Sequence, residues 1–178
     1  YPLPLPADVN KVSSFLNSTF EDSKGQLWFS TNLGLLRFDT LSKRWRIFKN
    51  NPADASSLSS DIVFSVCPDP IDPDNILWVG TNGRGLNRMD LRTGKCKRYD
   101  ETDGLPNNVV YGLLNDDVGN LWISTNQGLS CFNLKHETFR NYTDEDGLMG
   151  NEFNRGQFYR SNRGVMFFGG VDGITWFN

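Results

Sequence analysis

Leu121-Trp122-Ile123-Ser124-Thr125-Asn126 is the stretch that decides the fold, because the chain contains it three times. It stands earlier as Leu27-Trp28-Phe29-Ser30-Thr31-Asn32 and as Leu77-Trp78-Val79-Gly80-Thr81-Asn82, and a weaker fourth copy runs Met166-Phe167-Phe168-Gly169-Gly170. Each copy leads to a glycine and a second short apolar run, as in Gly34-Leu35-Leu36-Arg37-Phe38-Asp39 and Gly128-Leu129-Ser130-Cys131-Phe132-Asn133. The aromatic anchor recurs after 50, 44 and 45 residues. That period is the length of one propeller blade of four strands.

Working outward from the anchor, alternation and turn residues divide the third period into strands over 109–115, 121–125, 129–133 and 138–142. The turn before the anchor strand contains Asp-x-x-Gly at Asp22–Gly25 and Asp116–Gly119, with Ser161–Gly164 lacking the acid. Asp caps such a turn and Gly takes its positive φ. In the second copy a longer stretch, Asp69-Pro70-Ile71-Asp72-Pro73-Asp74-Asn75, reads as a rigid solvated turn; its prolines argue against a calcium loop. After the anchor strand, Thr-Asn-x-Gly reads as a tight hairpin in which Asn and Gly tolerate the left-handed region. The expectation is an all-β chain of about four four-stranded antiparallel blades over 1–178, the last incomplete. Their approximate spans are 12–50, 58–100, 107–143 and 151–178. Trp28, Trp78, Trp122 and Phe167 should fill the wedge between successive sheets, since stacked repeats bury their faces only against each other. Carbohydrate stacking is the sharper but weaker reading of these rings.

Composition narrows the function. The chain has 178 residues, with 38% hydrophobic, 13% aromatic and 17 glycines, which is globular and strand-rich. Its net charge of −3 offers no basic face for phosphates or anionic lipid, so no nucleic-acid partner is expected. No apolar run reaches eighteen residues, and the opening YPLPLPADVN is not a signal peptide. Cys67, Cys96 and Cys131 have no CxxC spacing and read as packing residues, with one disulfide as the alternative. No metal site, cofactor or catalytic residue is expected. His136 stands alone apart from Glu137, so an acid/base pair is missing. The sequons at Asn17 and Asn141 fall on predicted strands and read as chance.

The anchors, the Asp-x-x-Gly turn and the Gly-Leu-x-x-Phe-Asp runs resemble the two-component regulator propeller repeat. Asp103-Gly104-Leu105-Pro106-Asn107-Asn108-Val109 is similar to that family's Gly-Leu-Pro-Ser-Asn linker, and Leu58-Ser59-Ser60-Asp61 is a variant. The resemblance extends from Val12 onward. Asp146-Gly147-Leu148-Met149-Gly150-Asn151-Glu152-Phe153-Asn154 resembles the last repeat of the sensor region of hybrid two-component system histidine kinases. The resemblance implies a periplasmic or extracytoplasmic sensor segment of a membrane-anchored signal transduction protein. It also implies an oligosaccharide ligand, with the kinase chemistry outside this segment. Family sensors carry many more than four repeats, so the chain is expected to be a fragment; its four blades could close as a small four-bladed propeller, stay open as a sector or pair with a second copy, and self-association through the unpaired blade faces is the favoured expectation.

A meander places the turn between strands two and three on the same end as the link into the next blade. That gathers Asn32, Asn82, Arg84, Asn126 and Gln127 with Asn107, Asn108, Asn151, Asn154 and Arg155. Amides and guanidinium groups suit sugar hydroxyls and carboxylates. The ligand-binding residues expected are Arg84, Asn82, Asn126, Asn154, Arg155 and Asn32. At each Asn the plain alternative is a hairpin residue; Arg84 stands out because the turn does not require it. Two other functions remain in view, a protein-docking scaffold and a propeller lyase or hydrolase.

Overall fold

The computed structural model describes residues 16–178. Residues 12–15, with which the first blade was expected to begin, lie outside the described residues.

Four antiparallel sheets follow one another along the chain. The first holds β1 (Leu16–Glu21), β2 (Leu27–Thr31), β3 (Gly34–Asp39) and β4 (Arg44–Phe48). The second holds β5 (Val63–Pro68), β6 (Ile76–Thr81), β7 (Leu86–Asp90) and β8 (Cys96–Tyr99). In the third are β9 (Val110–Asn115), β10 (Asn120–Thr125), β11 (Leu129–Asn133) and β12 (Thr138–Tyr142). The fourth has three strands, β13 (Phe153–Arg160), β14 (Met166–Gly170) and β15 (Gly173–Phe177). Every sheet is a simple meander, and the first strands of neighbouring sheets pack together around the centre. This is a propeller of four blades, the last one a strand short. Two single-turn 3₁₀ segments, Glu101–Asp103 and Asp144–Asp146, occupy the links after the second and third blades.

The cores lie between blades. Trp28 and Leu35 of blade one pack with Val63, Val66, Leu77, Val79 and Met89 of blade two. Trp78 and Leu86 of blade two meet Leu113, Leu121, Ile123 and Phe132 of blade three. Trp28 and Trp78 are fully buried, as the wedge-filling role requires. Trp122 and Phe167 are only half-buried. The cover over Trp122 is a three-stranded blade, and Phe167 lies on the outer side of that same blade.

Asp69 corrects the reading of the second turn. It is buried, not solvated, and its Oδ2 accepts the Trp78 indole N–H at 2.9 Å. Asp22 does the same for Trp28 at 2.9 Å and Asp116 for Trp122 at 3.2 Å. The other carboxylate oxygen of each accepts two backbone N–H groups of the turn. One side chain thus caps the turn and satisfies the only polar atom of the buried ring, which would otherwise be desolvated without a partner. The fourth blade has Phe167, with no N–H to satisfy, and there Ser161 serves only its turn. Asp69→Ala is expected to cost about 1–3 kcal/mol, the penalty for stranding a buried donor. Ser161→Ala should be close to neutral in the same urea titration.

The hairpin reading is also corrected. Asn32, Asn82 and Asn126 do not adopt positive φ; the glycines do, at φ 121° for Gly34, 69° for Gly85 and 95° for Gly128. The second closing contact comes from threonine: Thr31, Thr81 and Thr125 each donate Oγ1–H to the carbonyl of that glycine at 2.8 Å. All three cysteines are free thiols. Burial pushes Cys67 and Cys96 up to about 12 and Cys131 up to about 11, so none is a thiolate at neutral pH.

Candidate functional site

The meander delivers the expected gathering of loops. A cleft of about 350 Å³ opens on the end of blades one to three where strand-two turns meet blade links. Its walls bring together Asn50 and Ser59 from the first link, Arg84 from the turn between β6 and β7, and Asp100 and Asn108 from the second link. Arg98, at the end of β8, completes it.

The side chains of this cleft divide into those that build it and those left open. Arg98 is tied down: its Nη2 donates to the Ser57 carbonyl at 3.0 Å and its Nε to the same oxygen at 3.2 Å. Asn108 is a structural clamp, its Oδ1 accepting the Glu101 N–H at 3.1 Å while its carbonyl accepts the Gly85 N–H at 2.8 Å. Asn50 donates Nδ2–H to the Leu58 and Ser59 carbonyls. Arg84 is exposed and, among the described residues, makes no hydrogen bond or ion pair. Facing the same space, Asp100 is held below the ordinary carboxylate range, first by the Thr102 hydroxyl and then by the Thr102 N–H. At neutral pH the cleft therefore offers a free guanidinium and an ionised carboxylate over a floor of fixed amides. Such a surface pairs donors and acceptors with a hydroxyl-rich ligand.

The other expected residues are placed apart from this cleft. Asn82 is exposed on the same turn as Arg84, its backbone N–H donating to the Ile62 carbonyl at 3.0 Å. Nearer the centre, Asn126 accepts the Tyr111 hydroxyl at 3.1 Å, Tyr111 stacks on Phe64, and Arg155 lies 5.4 Å from the Phe64 ring centre. Asn154 and Arg155 share a shallow depression with Gly169, Gly170 and Gly173 of the last blade. Asn32 bridges Gly34 in the first hairpin. Asn107 caps its own link through the Val109 N–H, and Asn151 clamps the third link as Asn108 clamps the second. Sequence reasoning missed Asn50, Ser59, Arg98 and Asp100. The signal was the link register itself, which places residues just after strand four and just before strand one at the same end.

Among the described residues no group of three His, Cys, Asp or Glu side chains could hold a metal. His136 is exposed, and Glu137 is engaged with Lys97 and the Tyr99 hydroxyl.

The family model described as the two-component regulator propeller matches residues 104–127, from the second link through the anchor strand of blade three. The chain is similar to histidine kinase P4 of Formosa agariphila, 34% identical over 93% of this chain and 16% of that protein. Residues 104–127 thus carry the two-component regulator propeller repeat. Among solved structures, the extracellular domain of a B. thetaiotaomicron hybrid two-component system superposes on this propeller with a TM-score of 0.79 at 24% identity, over 92% of this chain and 22% of that one. A second such extracellular domain from B. thetaiotaomicron gives 0.73 at 28% identity, over 96% and 24%. The chain thus spans a sixth to a quarter of these three proteins. Virginiamycin B lyase from Staphylococcus aureus shares the fold alone, with a TM-score of 0.64 at 18% identity over 100% and 58%. Among the described residues no helix is long and apolar enough to cross a membrane.

Proposed function

We propose that this propeller segment recognises an oligosaccharide in the extracytoplasmic sensor region of a two-component signal transduction protein, without turning it over. The observation that carries the reading is Arg84. Folding makes no use of its guanidinium, yet the turn holds it over a polar cleft that also carries the tied-down Arg98 and the carboxylate of Asp100. An arginine kept for structure finds an acceptor, as Arg98 does in the same cleft. The similarity to extracellular domains of hybrid two-component systems supports the location and the signalling role. Fixed donors and acceptors spaced around an open polar cleft suit directional hydroxyls better than an apolar ligand. Binding would then shift the balance between arrangements of the sensor region by the difference in its affinity for each.

Arg84→Ala should weaken glycan binding tenfold to about a hundredfold, the loss of one well-placed charged hydrogen bond, with no change in melting temperature. Calorimetry of wild type and variant against the same oligosaccharide reads this directly. Equal affinity in both would remove Arg84 from the site, and release of a shortened or unsaturated sugar would replace the sensor reading with a lyase or hydrolase.

A further inference from the structure

The hairpin that carries Arg84 differs from its two equivalents by one inserted residue. Blades one and three close with Thr31-Asn32-Leu33-Gly34 and Thr125-Asn126-Gln127-Gly128, blade two with Thr81-Asn82-Gly83-Arg84-Gly85. The insertion creates the only asparagine followed by glycine in the sequence. Asparagine is a heat-labile residue type, and this pair is built to cyclise: the glycine nitrogen attacks the side-chain carbon, and with no Cβ on the attacking residue the imide ring closes without a clash. In blades one and three the corresponding nitrogen is occupied, since the Leu33 N–H donates to Thr31 Oγ1 and the Gln127 N–H to Thr125 Oγ1, both at 3.0 Å. In blade two Thr81 Oγ1 meets Ser59 Oγ at 3.3 Å instead, and among the described residues the Gly83 N–H makes no hydrogen bond. The Asn82 side chain is equally unengaged among the described residues, whereas Asn126 Oδ1 accepts the Tyr111 hydroxyl. Asn82, Gly83 and Arg84 are all exposed, and a Cβ built on Gly83 would meet nothing within 4 Å, so water and the ring both have room.

We propose that Asn82 is a site of spontaneous deamidation whose product disarms Arg84. The Gly83 nitrogen gives its proton to solvent and bonds to Asn82 Cγ, the Cγ–Nδ2 bond breaks, and Nδ2 takes up a proton and leaves as ammonia. Water then opens the imide. Cleavage between the Gly83 nitrogen and Cγ leaves an aspartate; cleavage at the main-chain carbonyl carbon leaves an isoaspartate, whose backbone runs through Cγ and is longer by one methylene. The sum is water in and ammonia out, with no oxidant or other reagent. Either product sets a carboxylate on the turn that holds Arg84, where a charge-assisted hydrogen bond engages the guanidinium that folding leaves open. The cleft then ages from a form that offers a free guanidinium to one that does not. Its loss of ligand rests on the reading of Arg84 as the ligand group; the chemistry at Asn82 does not.

The full chain, kept folded at neutral pH over days and mapped by tryptic peptides with isoaspartyl methyltransferase labelling, should gain aspartate and isoaspartate at Asn82 before any other described asparagine. Gly83→Ala should slow this about tenfold, because the added methyl hinders ring closure. Gln127→Gly separates fold from sequence by giving blade three its own Asn-Gly pair. Asn126 should still lag behind Asn82 in the folded variant and catch up in urea, where the bonds to Thr125 and Tyr111 are gone. No acid at Asn82, or an Asn126 that keeps pace with it in the folded variant, overturns the site. Asn82→Asp supplies the product: followed by NMR, its carboxyl should titrate lower than in the double variant with Arg84→Ala, and equal values overturn the disarming of Arg84. In calorimetry Asn82→Asp should lose the same tenfold to about hundredfold in oligosaccharide affinity as Arg84→Ala, and binding equal to wild type overturns the disarming too. A wild-type chain that binds no oligosaccharide removes the ligand reading instead, while the peptide map and the titration still decide the modification.

Discussion

Trp78→Ala is expected to lower the unfolding free energy by about 3–5 kcal/mol, as truncation of a fully enclosed aromatic ring does. Trp78 is 2% exposed and touches both sides of its wedge, lying 5.9 Å from Tyr99 of its own blade and 5.6 Å edge-on from Phe132 of the next. Removing the ring opens a cavity between two sheets that are held apart by their own strands and cannot collapse into it. It also strands the Asp69 carboxylate, which is buried and loses its indole donor. The loss is therefore larger than the ring alone would give. Trp122→Ala should cost less, because Trp122 is half-buried against the three-stranded blade. Urea titration with tryptophan fluorescence and circular dichroism in parallel orders the two variants; equal midpoints would show that the wedge is not the unit of stability.

Gly85→Ala carries the second large effect. At φ 69° an L residue loses about 1–2 kcal/mol to the left-handed conformation, and here the new Cβ would also sit 2.2 Å from the Tyr99 carbonyl oxygen. That oxygen belongs to the neighbouring strand end, so the hairpin must move, and with it Arg84 and the donor that Gly85 gives to Asn108. Gly83, two residues earlier, has φ 71°, and a Cβ placed there would meet nothing within 4 Å. Gly83→Ala should therefore cost only the conformational part, while Gly85→Ala should lose several-fold more in folding equilibrium and weaken ligand binding as well. Matching midpoints for the two variants would show that the carbonyl contact is relieved without cost. The same crowding recurs at Gly34 and Gly128, whose Cβ atoms would meet the Phe48 and Tyr142 carbonyls at 2.5 and 2.4 Å.

The blade count, the strand order and three of the four expected wedge residues, all but Phe167, were legible in the chain because they are properties of a repeat. A period near 45 residues with one ring per period admits few architectures, and local alternation then fixes the strands, so that those expected at 129–133 and 138–142 are the β11 and β12 observed. The gathering of links and hairpins at one end followed from counting strand directions in a meander. What partnered those residues did not follow. The Asp-to-indole bonds join residues 6 to 9 positions apart whose side chains meet only once the hairpin has folded. Arg98 and Arg84 are both arginines near a turn, and the sequence alone makes them equivalent. The tertiary structure separates them, because the Ser57 carbonyl accepts from Arg98 while, among the described residues, Arg84 makes no hydrogen bond or ion pair. The exposure of Ile174 is likewise invisible in a sequence where it repeats Leu35, Leu86 and Leu129: local patterning specifies which face of a strand is apolar, and only the assembled sheets decide whether another sheet covers it.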